Sequence, residues 1–282
     1  MITGNSAANY LYGGAGNDVF VYNGTIALID TIYGYDQTDN DDGGTDTIRL
    51  GAEEMTLAAE TALETRIHGM ESITAVANAN VISLAFHDTV TATGILLVDL
   101  SGDTDADGEN LVDLSNDTVD AAEIAVTGSA GSDTIIGNNV ANIIIGGAGA
   151  DTLTGGADAD TFVLLEELNS EAAVIGVFRD TITDFQVGID ILQFNATALA
   201  LLDGFVFDAD GFGEGEQGEN FLVVGNGAVA DQAYAQMLFD MTTGVLSIDA
   251  DGTGESEAVF IGTIGAGLSL TANDFLFVIP EA

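Results

Sequence analysis

Residues 128–163 read GSAGSDTII, GNNVANIII, GGAGADTLT and GGADADTFV, four consecutive nonapeptides in one register. Each begins with glycine, has Asp or Asn at its sixth position and has a large apolar residue at its eighth. Glycine permits positive φ and close backbone approach, so the first six residues suit a tight turn. The last three suit a short strand with one side chain pointing inward. The repeat therefore predicts a solenoid of stacked coils.

A second pair of nonapeptides lies at the N-terminus, from Gly4 to Tyr12 and then GGAGNDVFV from Gly13. A glycine-rich low-complexity loop is the alternative explanation, but it does not account for an apolar residue kept in register. The eighth positions are Leu11, Phe20, Ile135, Ile144, Leu153 and Phe162, and the sixth positions are Asn9, Asp18, Asp133, Asn142, Asp151 and Asp160.

These units resemble the RTX nonapeptide, Gly-Gly-x-Gly-x-Asp-x-apolar-x, a calcium-binding repeat. The resemblance implies that two nonapeptides make one coil and that calcium lies between neighbouring turns on the same side. By position, Asp133 and Asp151 would share one ion, and Asn142 and Asp160 a weaker one, because Asn142 carries no charge. The resemblance assigns to calcium Gly13, Gly14, Gly16, Asp18, Gly128, Gly131, Asp133, Asn142, Gly146, Gly147, Gly149, Asp151, Gly155, Gly156, Asp158 and Asp160.

Acidic turns elsewhere are further calcium candidates, because Asp-Ala-Asp-Gly occurs three times. The first copy is preceded by Asp103 and looks like the opening of an EF-hand loop, although Leu114 stands where that loop needs Glu. Ordinary acidic turns are the alternative for all three. The candidate ligands are Asp103, Asp105, Asp107, Asp208, Asp210, Asp249 and Asp251.

The middle of the chain lacks the glycines but keeps short apolar groups. Val98-Asp-Leu-Ser recurs at Val112, fourteen residues later, and Val126 follows after another fourteen. This spacing predicts continued coils with longer turns. The stretch from Glu53 to Thr65 is the best helix candidate.

Three later segments resemble the ends of RTX proteins. Asp180 to Asp190 is similar to the strand–turn–strand that follows a nonapeptide block, and a weaker relative runs from Asp30 to Asp46. Leu238 to Gly254 predicts a hairpin and an acidic turn. With Leu270 to Val278, it is similar to the C-terminal region of proteins exported by type I secretion, including serralysin-like proteases. An apolar last strand that completes the core is the alternative, and both can hold.

Composition narrows the function. The chain has 46 Asp and Glu against three Arg and no Lys, so its net charge is −43. Three arginines cannot form a basic patch, which argues against nucleic acid and anionic membranes as partners. No cysteine is present for disulfides, and calcium is the expected staple. No apolar run approaches a membrane span of about 20 residues. No signal segment follows Met1, so we expect either that the chain is a fragment or that its export needs no N-terminal signal.

Catalytic signatures are absent from the sequence. His68 and His87 are the only histidines, and neither belongs to a His-Glu-x-x-His motif. No Gly-x-Ser-x-Gly elbow occurs, so we expect no autonomous enzyme.

Together these features predict an all-β, right-handed parallel β-roll or β-solenoid with calcium-binding turns and a C-terminal antiparallel β cap. We expect four segments: 1–50 and 128–164 as RTX β-roll, 51–127 as irregular solenoid, and 165–282 as cap and secretion-like region. The expected function is a calcium-dependent, secreted bacterial cell-surface protein, S-layer-like, fibre-forming or adhesive, that folds and self-assembles on several Ca²⁺ ions. Its partners would be further copies of itself and the type I secretion apparatus. The alternative is the export-and-folding module of a larger secreted hydrolase.

Overall fold

Short β-strands make up nearly all the regular structure of the described residues. The computed structural model describes residues 10–22, 31–34, 45–50, 55–57, 67–68, 72–75, 82–85, 97–115, 123–164, 179–199, 207–208, 211–212 and 221–278. Helical structure within these ranges is limited to α1 (Ala196–Leu199) and a 3-10 turn (Ala272–Asp274). No helix of the described part is long and apolar enough to span a membrane.

The strands of the first half, in chain order, are β1 (Tyr10–Tyr12), β2 (Val19–Tyr22), β3 (Thr31–Tyr33), β4 (Thr47–Leu50), β5 (Met55–Leu57), β6 (Ile67–His68), β7 (Ser72–Ala75), β8 (Ile82–Ala85), β9 (Leu97–Asp99), β10 (Leu111–Asp113), β11 (Ile124–Thr127) and β12 (Thr134–Ile136). Those of the second half are β13 (Asn142–Ile145), β14 (Thr152–Thr154), β15 (Thr161–Leu164), β16 (Asp180–Ile182), β17 (Ile191–Asn195), β18 (Phe207–Asp208), β19 (Gly211–Phe212), β20 (Leu222–Gly225), β21 (Gln236–Asp240), β22 (Val245–Asp249), β23 (Val259–Thr263) and β24 (Phe275–Val278).

Two large sheets face each other across the core, and consecutive strands from β7 to β17 alternate between them. The nine-stranded sheet has the order β2-β4-β7-β9-β11-β13-β15-β17-β24, and all its pairs are parallel. The ten-stranded sheet has the order β20-β21-β22-β23-β16-β14-β12-β10-β8-β5. A β1-β3-β6 sheet and the β18–β19 hairpin complete the described strands. This is the parallel β-roll that the nonapeptides predict.

The coil length follows the repeat. Ile135 pairs with Leu153 and Ile144 with Phe162, so one coil takes eighteen residues, or two nonapeptides. Outside the block the turns lengthen, and several pairs of strands in successive coils are offset by 23 to 30 residues. The fourteen-residue spacing of the middle segment is half a coil, because β9, β10 and β11 alternate between the sheets. The prediction of continued coils is confirmed there.

The core is the column of side chains at the centre of each strand. At the eighth positions, Phe20, Ile135, Ile144, Leu153 and Phe162 are fully buried, whereas Leu11 is only partly buried. Burying each such side chain contributes about 1.5–3 kcal/mol to the free energy of folding. One inward residue per strand therefore stabilises the stack of coils.

Among the described strands, antiparallel pairing is confined to the β18–β19 hairpin and to β21, β22 and β23. Strand β21 pairs antiparallel with β22, and β22 with β23, while β23 joins the roll through β16. The last strand, β24, extends the nine-stranded sheet beside β17. The predicted hairpin and the apolar last strand are both confirmed. The helix expected from Glu53 to Thr65 is wrong at Met55–Leu57, which form β5 because they pair with β8; most of the remaining stretch lies outside the described residues.

Candidate metal centre

The sixth residue of each nonapeptide binds the next coil through its backbone. Asp133 donates its N–H to Oδ1 of Asp151 at 2.7 Å, and Asn142 donates to Oδ1 of Asp160 at 2.9 Å. The register that stacks the strands therefore brings together the two pairs predicted to share an ion. Whether each pair holds Ca²⁺ stays a prediction.

The same contact continues beyond the nonapeptides. Asn110 donates to Asp133, Asp151 to Asp180 and Asp160 to Asp190, at 3.0 to 3.1 Å. At the N-terminal end Asp18 donates to Asp46 at 2.8 Å. The result is a ladder of buried carboxylates and amides on each side of the roll: Asn110, Asp133, Asp151 and Asp180 on one side, and Asn142, Asp160 and Asp190 on the other.

Four residues that accept or donate this contact were not predicted as site residues: Asn110, Asp180 and Asp190 in the ladder, and Asp46 at the N-terminal end. Asn110, Asp46 and Asp190 directly precede a strand and Asp180 begins one. Asp46 and Asp180 also repeat the Asp-Thr-Ile of residues 133–135. That tripeptide is the signal that could have identified them. Asp184 is a further addition, because its carboxylate accepts the backbone N–H groups of Gly155 and Gly156, both at 2.9 Å.

Two carboxylates of the ladder keep an oxygen without a donor. Oδ2 of Asp151 and Oδ2 of Asp160 are buried and have no hydrogen-bond partner within the described part of the chain. Burial raises the pKa of Asp151, and the charges of Asp180 and Asp133 raise it further. Burial likewise raises the pKa of Asp160 to about 7, with added repulsion from Asp190, Asp184 and Asp158. Desolvation is thus the main cause at both carboxylates, and like charges deepen it.

The turns that carry these two carboxylates have glycine at the second position, so no side chain there closes the turn by a hydrogen bond. We call them open turns. Gly147 and Gly149 have φ of 94° and 121°, and Gly156 has φ of 108°. A Cβ at Gly147 or Gly149 would clash with the carbonyl oxygens of Ser129 or Gly131 in the preceding coil. Asp158 replaces the glycine at the fourth position of the last turn and takes the left-handed conformation itself, with φ of 63°.

The first two turns of the block are closed by side chains instead. Ser129 Oγ accepts the N–H of Gly131 at 3.1 Å and donates to the carboxylate of Asp133. Asn138 Oδ1 accepts from Val140 N at 3.1 Å and from Asn142 Nδ2 at 2.8 Å. The Asn142 amide also donates to the Val140 carbonyl. The side chain of the uncharged sixth residue, Asn142, therefore forms its hydrogen bonds within its own turn.

The donor set fits Ca²⁺. The groups available in the open turns are carboxylate and carbonyl oxygens, the hard ligands that calcium prefers. Among the described residues no three acidic or histidine side chains converge on one point, so backbone carbonyls must complete the coordination. A cation there would neutralise the orphaned oxygens of Asp151 and Asp160. Asp151, Asp160 and the carbonyls of the turns stacked on them would hold it.

The N-terminal turn has the same backbone signature. Gly14 and Gly16 have φ of 96° and 93°, and Asn17 Oδ1 accepts the N–H of Thr45 in the next coil at 3.1 Å. Gly13 donates its N–H to the carbonyl of Tyr33 at 2.8 Å. This turn is thus stacked as those of the nonapeptide block are.

The EF-hand-like segment forms a turn of the roll. Asp103 Oδ1 accepts the N–H of Asp105, and Asp105 Oδ1 accepts that of Asp107, both at 3.1 Å. A Cβ at Gly131 would clash with the Gly108 carbonyl, so this turn lies directly against the first nonapeptide turn. The aspartates cap their own loop, and calcium binding by them stays a prediction. Asp208 lies in β18, and Asp210 lies outside the described residues.

Residues 1–24 and 127–162 match the family model for the RTX calcium-binding nonapeptide repeat, in four copies. No curated protein matches the chain. The stacked turns and this match define the class: a β-roll protein that binds calcium in its turns. The chain therefore carries RTX calcium-binding repeats, whose ion is Ca²⁺, and proteins that carry this repeat are generally secreted.

Proposed function

We propose that this chain is a secreted cell-surface protein that folds when it meets extracellular calcium and then assembles with further copies of itself. The observation that carries the proposal is the ladder with orphaned, buried oxygens at Asp151 and Asp160. Buried carboxylates cost free energy unless they are protonated or bound to a cation. At neutral pH and low calcium, the chain would stay largely unfolded and fit for export.

Calcium outside the cell would reverse this balance. Extracellular modules bind Ca²⁺ with dissociation constants of about 10⁻⁴–10⁻³ M. Because the ion binds the folded turns, mass action shifts the chain toward the folded state. The net charge of −43 adds to the effect, since repulsion opposes compaction until cations neutralise it.

The ends of the nine-stranded sheet support self-assembly. Among the described strands, β24 pairs only with β17 and β2 only with β4. An edge strand presents free N–H and C=O groups to another chain. Leu276 and Val278 in β24 are 45% and 36% exposed, and Tyr10 in β1, an edge strand of the β1-β3-β6 sheet, is 70% exposed. Stacking end to end would cover both.

Sedimentation velocity and electron microscopy, each with calcium and with chelator, test this function. Ordered polymers that form only with calcium are the expected result. Leu276→Lys should prevent them while leaving calcium-induced folding intact. Val229→Lys is the matched control, because Val229 is 72% exposed but lies in the loop between β20 and β21 and not in β24. A folded monomer at all concentrations would favour the alternative, the folding module of a larger secreted hydrolase.

A further inference from the structure

The acidic turn after β22 contains a second kind of unsatisfied carboxylate, outside the nonapeptides. Asp249, the last residue of β22, is 8% exposed. Its Oδ1 and Oδ1 of Asp251 are both buried and have no hydrogen-bond partner within the described residues. Neither belongs to the ladder of the roll or to the segments that match the RTX repeat.

The two carboxyl groups face each other. Burial raises the pKa of Asp249, and the neighbouring carboxyl of Asp251 raises it further. The pKa of Asp251 is instead lowered, mainly because the backbone N–H of Ser256 donates to its Oδ2 at 3.1 Å. A charged carboxylate is thus held against a second one, and the chain has no Lys to place between them.

Backbone oxygens crowd the same turn. Gly252 has φ of 64°, and a Cβ there would clash with the carbonyls of Gln232 and Tyr234. Thr253 donates its N–H to the Gln232 carbonyl at 2.7 Å. The 231–235 loop is held in turn by Gln236, whose Oε1 accepts the N–H groups of residues 231 and 232 at 2.8 and 3.1 Å.

We propose that Asp249 and Asp251 bind a further Ca²⁺ ion that secures the C-terminal cap to the 231–235 loop. Two facing carboxylate oxygens without donors, one of them on a side chain more than nine-tenths buried, are a donor pair for a hard cation. The competing explanation is a single proton shared between the two carboxyls. The proposal does not depend on self-assembly or on the number of ions in the roll.

The test is the number of calcium ions bound per chain, measured by equilibrium dialysis and elemental analysis. Asp249→Asn with Asp251→Asn should bind one ion fewer than the unmodified chain, yet keep the calcium-induced gain of β-structure. Glu255→Gln with Glu257→Gln is the charge-matched control in the same connection, because both glutamates are exposed, and it should bind the full number. Asp151→Asn should lose an ion of the roll whether or not the cap site exists.

An unchanged ion count in the folded double variant would overturn the proposal and leave the shared proton. If the double variant does not fold, the single variant Asp251→Asn decides. It should lose the ion at low calcium and regain it at about tenfold higher calcium. An ion count for Asp251→Asn that matches the unmodified chain at every calcium concentration would contradict the site. An unmodified chain that binds no calcium would instead contradict the proposed function.

Discussion

The first and the second coil of the nonapeptide block have the same length but close their turns differently. In the first coil the second position is Ser129 or Asn138, and its side chain bonds the N–H at the fourth position. In the second coil that position is Gly147 or Gly156, with positive φ, and the sixth carboxylate keeps an orphaned oxygen.

The difference shows that the same backbone turn can be closed in two ways, by a side-chain hydrogen bond or by a bound cation. A hydroxyl or amide that stays in the chain closes the first coil at all calcium concentrations. A cation from solution must close the second, because no donor of the described residues reaches Asp151 Oδ2 or Asp160 Oδ2. The first coil would therefore serve as a preformed template, and the second would carry the calcium dependence.

The largest expected effect comes from filling an open turn. Gly149→Ala combines a left-handed φ of 121° with a Cβ that would clash with the Gly131 carbonyl. Strain and overpacking together should cost about 3 kcal/mol of the calcium-bound stability. Thermal unfolding in saturating calcium measures it, with Ala148→Ser on the exposed side of the same turn as control. Equal melting temperatures would show that the turn is not packed as described.

Next in size is the loss of a carboxylate from each coil. Asp151→Asn should raise the calcium midpoint of folding about tenfold, which corresponds to about 1.4 kcal/mol, and should barely change stability in chelator. Asp133→Asn should also weaken the chelator state, because Asp133 accepts hydrogen bonds from Ser129 and Asn110. Calcium titrations and urea unfolding of both variants separate these effects. If both variants had the same calcium midpoint and the same stability in chelator, the proposed distinction between the two coils would be wrong.

Converting a closed turn into an open one tests the reverse direction. Asn138→Gly with Asn142→Asp removes the side-chain amide hydrogen bonds of the second turn and introduces a carboxylate at its sixth position. We expect one more bound calcium and lower stability in chelator, by about 1–2 kcal/mol for the lost hydrogen bonds. Asn142→Asp alone should lower the calcium midpoint. Dialysis counts and midpoints check both variants, and if Asn142→Asp and Asp151→Asn both left the midpoint unchanged, the assigned sites would be refuted.

The smallest expected effect is that of pH on the stability of the folded chain. Because burial raises the pKa of Asp160 to about 7, the folded chain without calcium binds more protons than the unfolded chain between about pH 4 and 7. Its stability in chelator should therefore fall as pH rises through this range. In calcium, acid should weaken binding, since protons compete for the same oxygens. Melting temperatures in the two buffers should move in opposite directions with pH, and parallel curves would contradict the account.

Much of the roll could be predicted from local pattern. Glycine spacing and one inward apolar residue per unit are properties of nine consecutive residues, so the coil and the Asp151 and Asp160 columns were accessible from sequence. The fourteen-residue spacing likewise predicted the coils around Val98, Val112 and Val126.

Contacts between coils were less accessible. Asp180 and Asp190 join the ladder through 29- and 30-residue offsets that no fixed period reveals. The closure of the first coil by Ser129 and Asn138 depends on where each side chain points within its turn. At Met55–Leu57, pairing with a neighbouring coil overrode a local helical pattern.

Far-ultraviolet circular dichroism of the chelator-treated chain during a calcium titration, with magnesium as control, tests the central claim most directly. The account predicts a cooperative gain of β-structure that calcium produces and magnesium does not, with a midpoint at about 10⁻⁴–10⁻³ M. A chain that is fully β-structured in chelator at neutral pH and indifferent to calcium would contradict it.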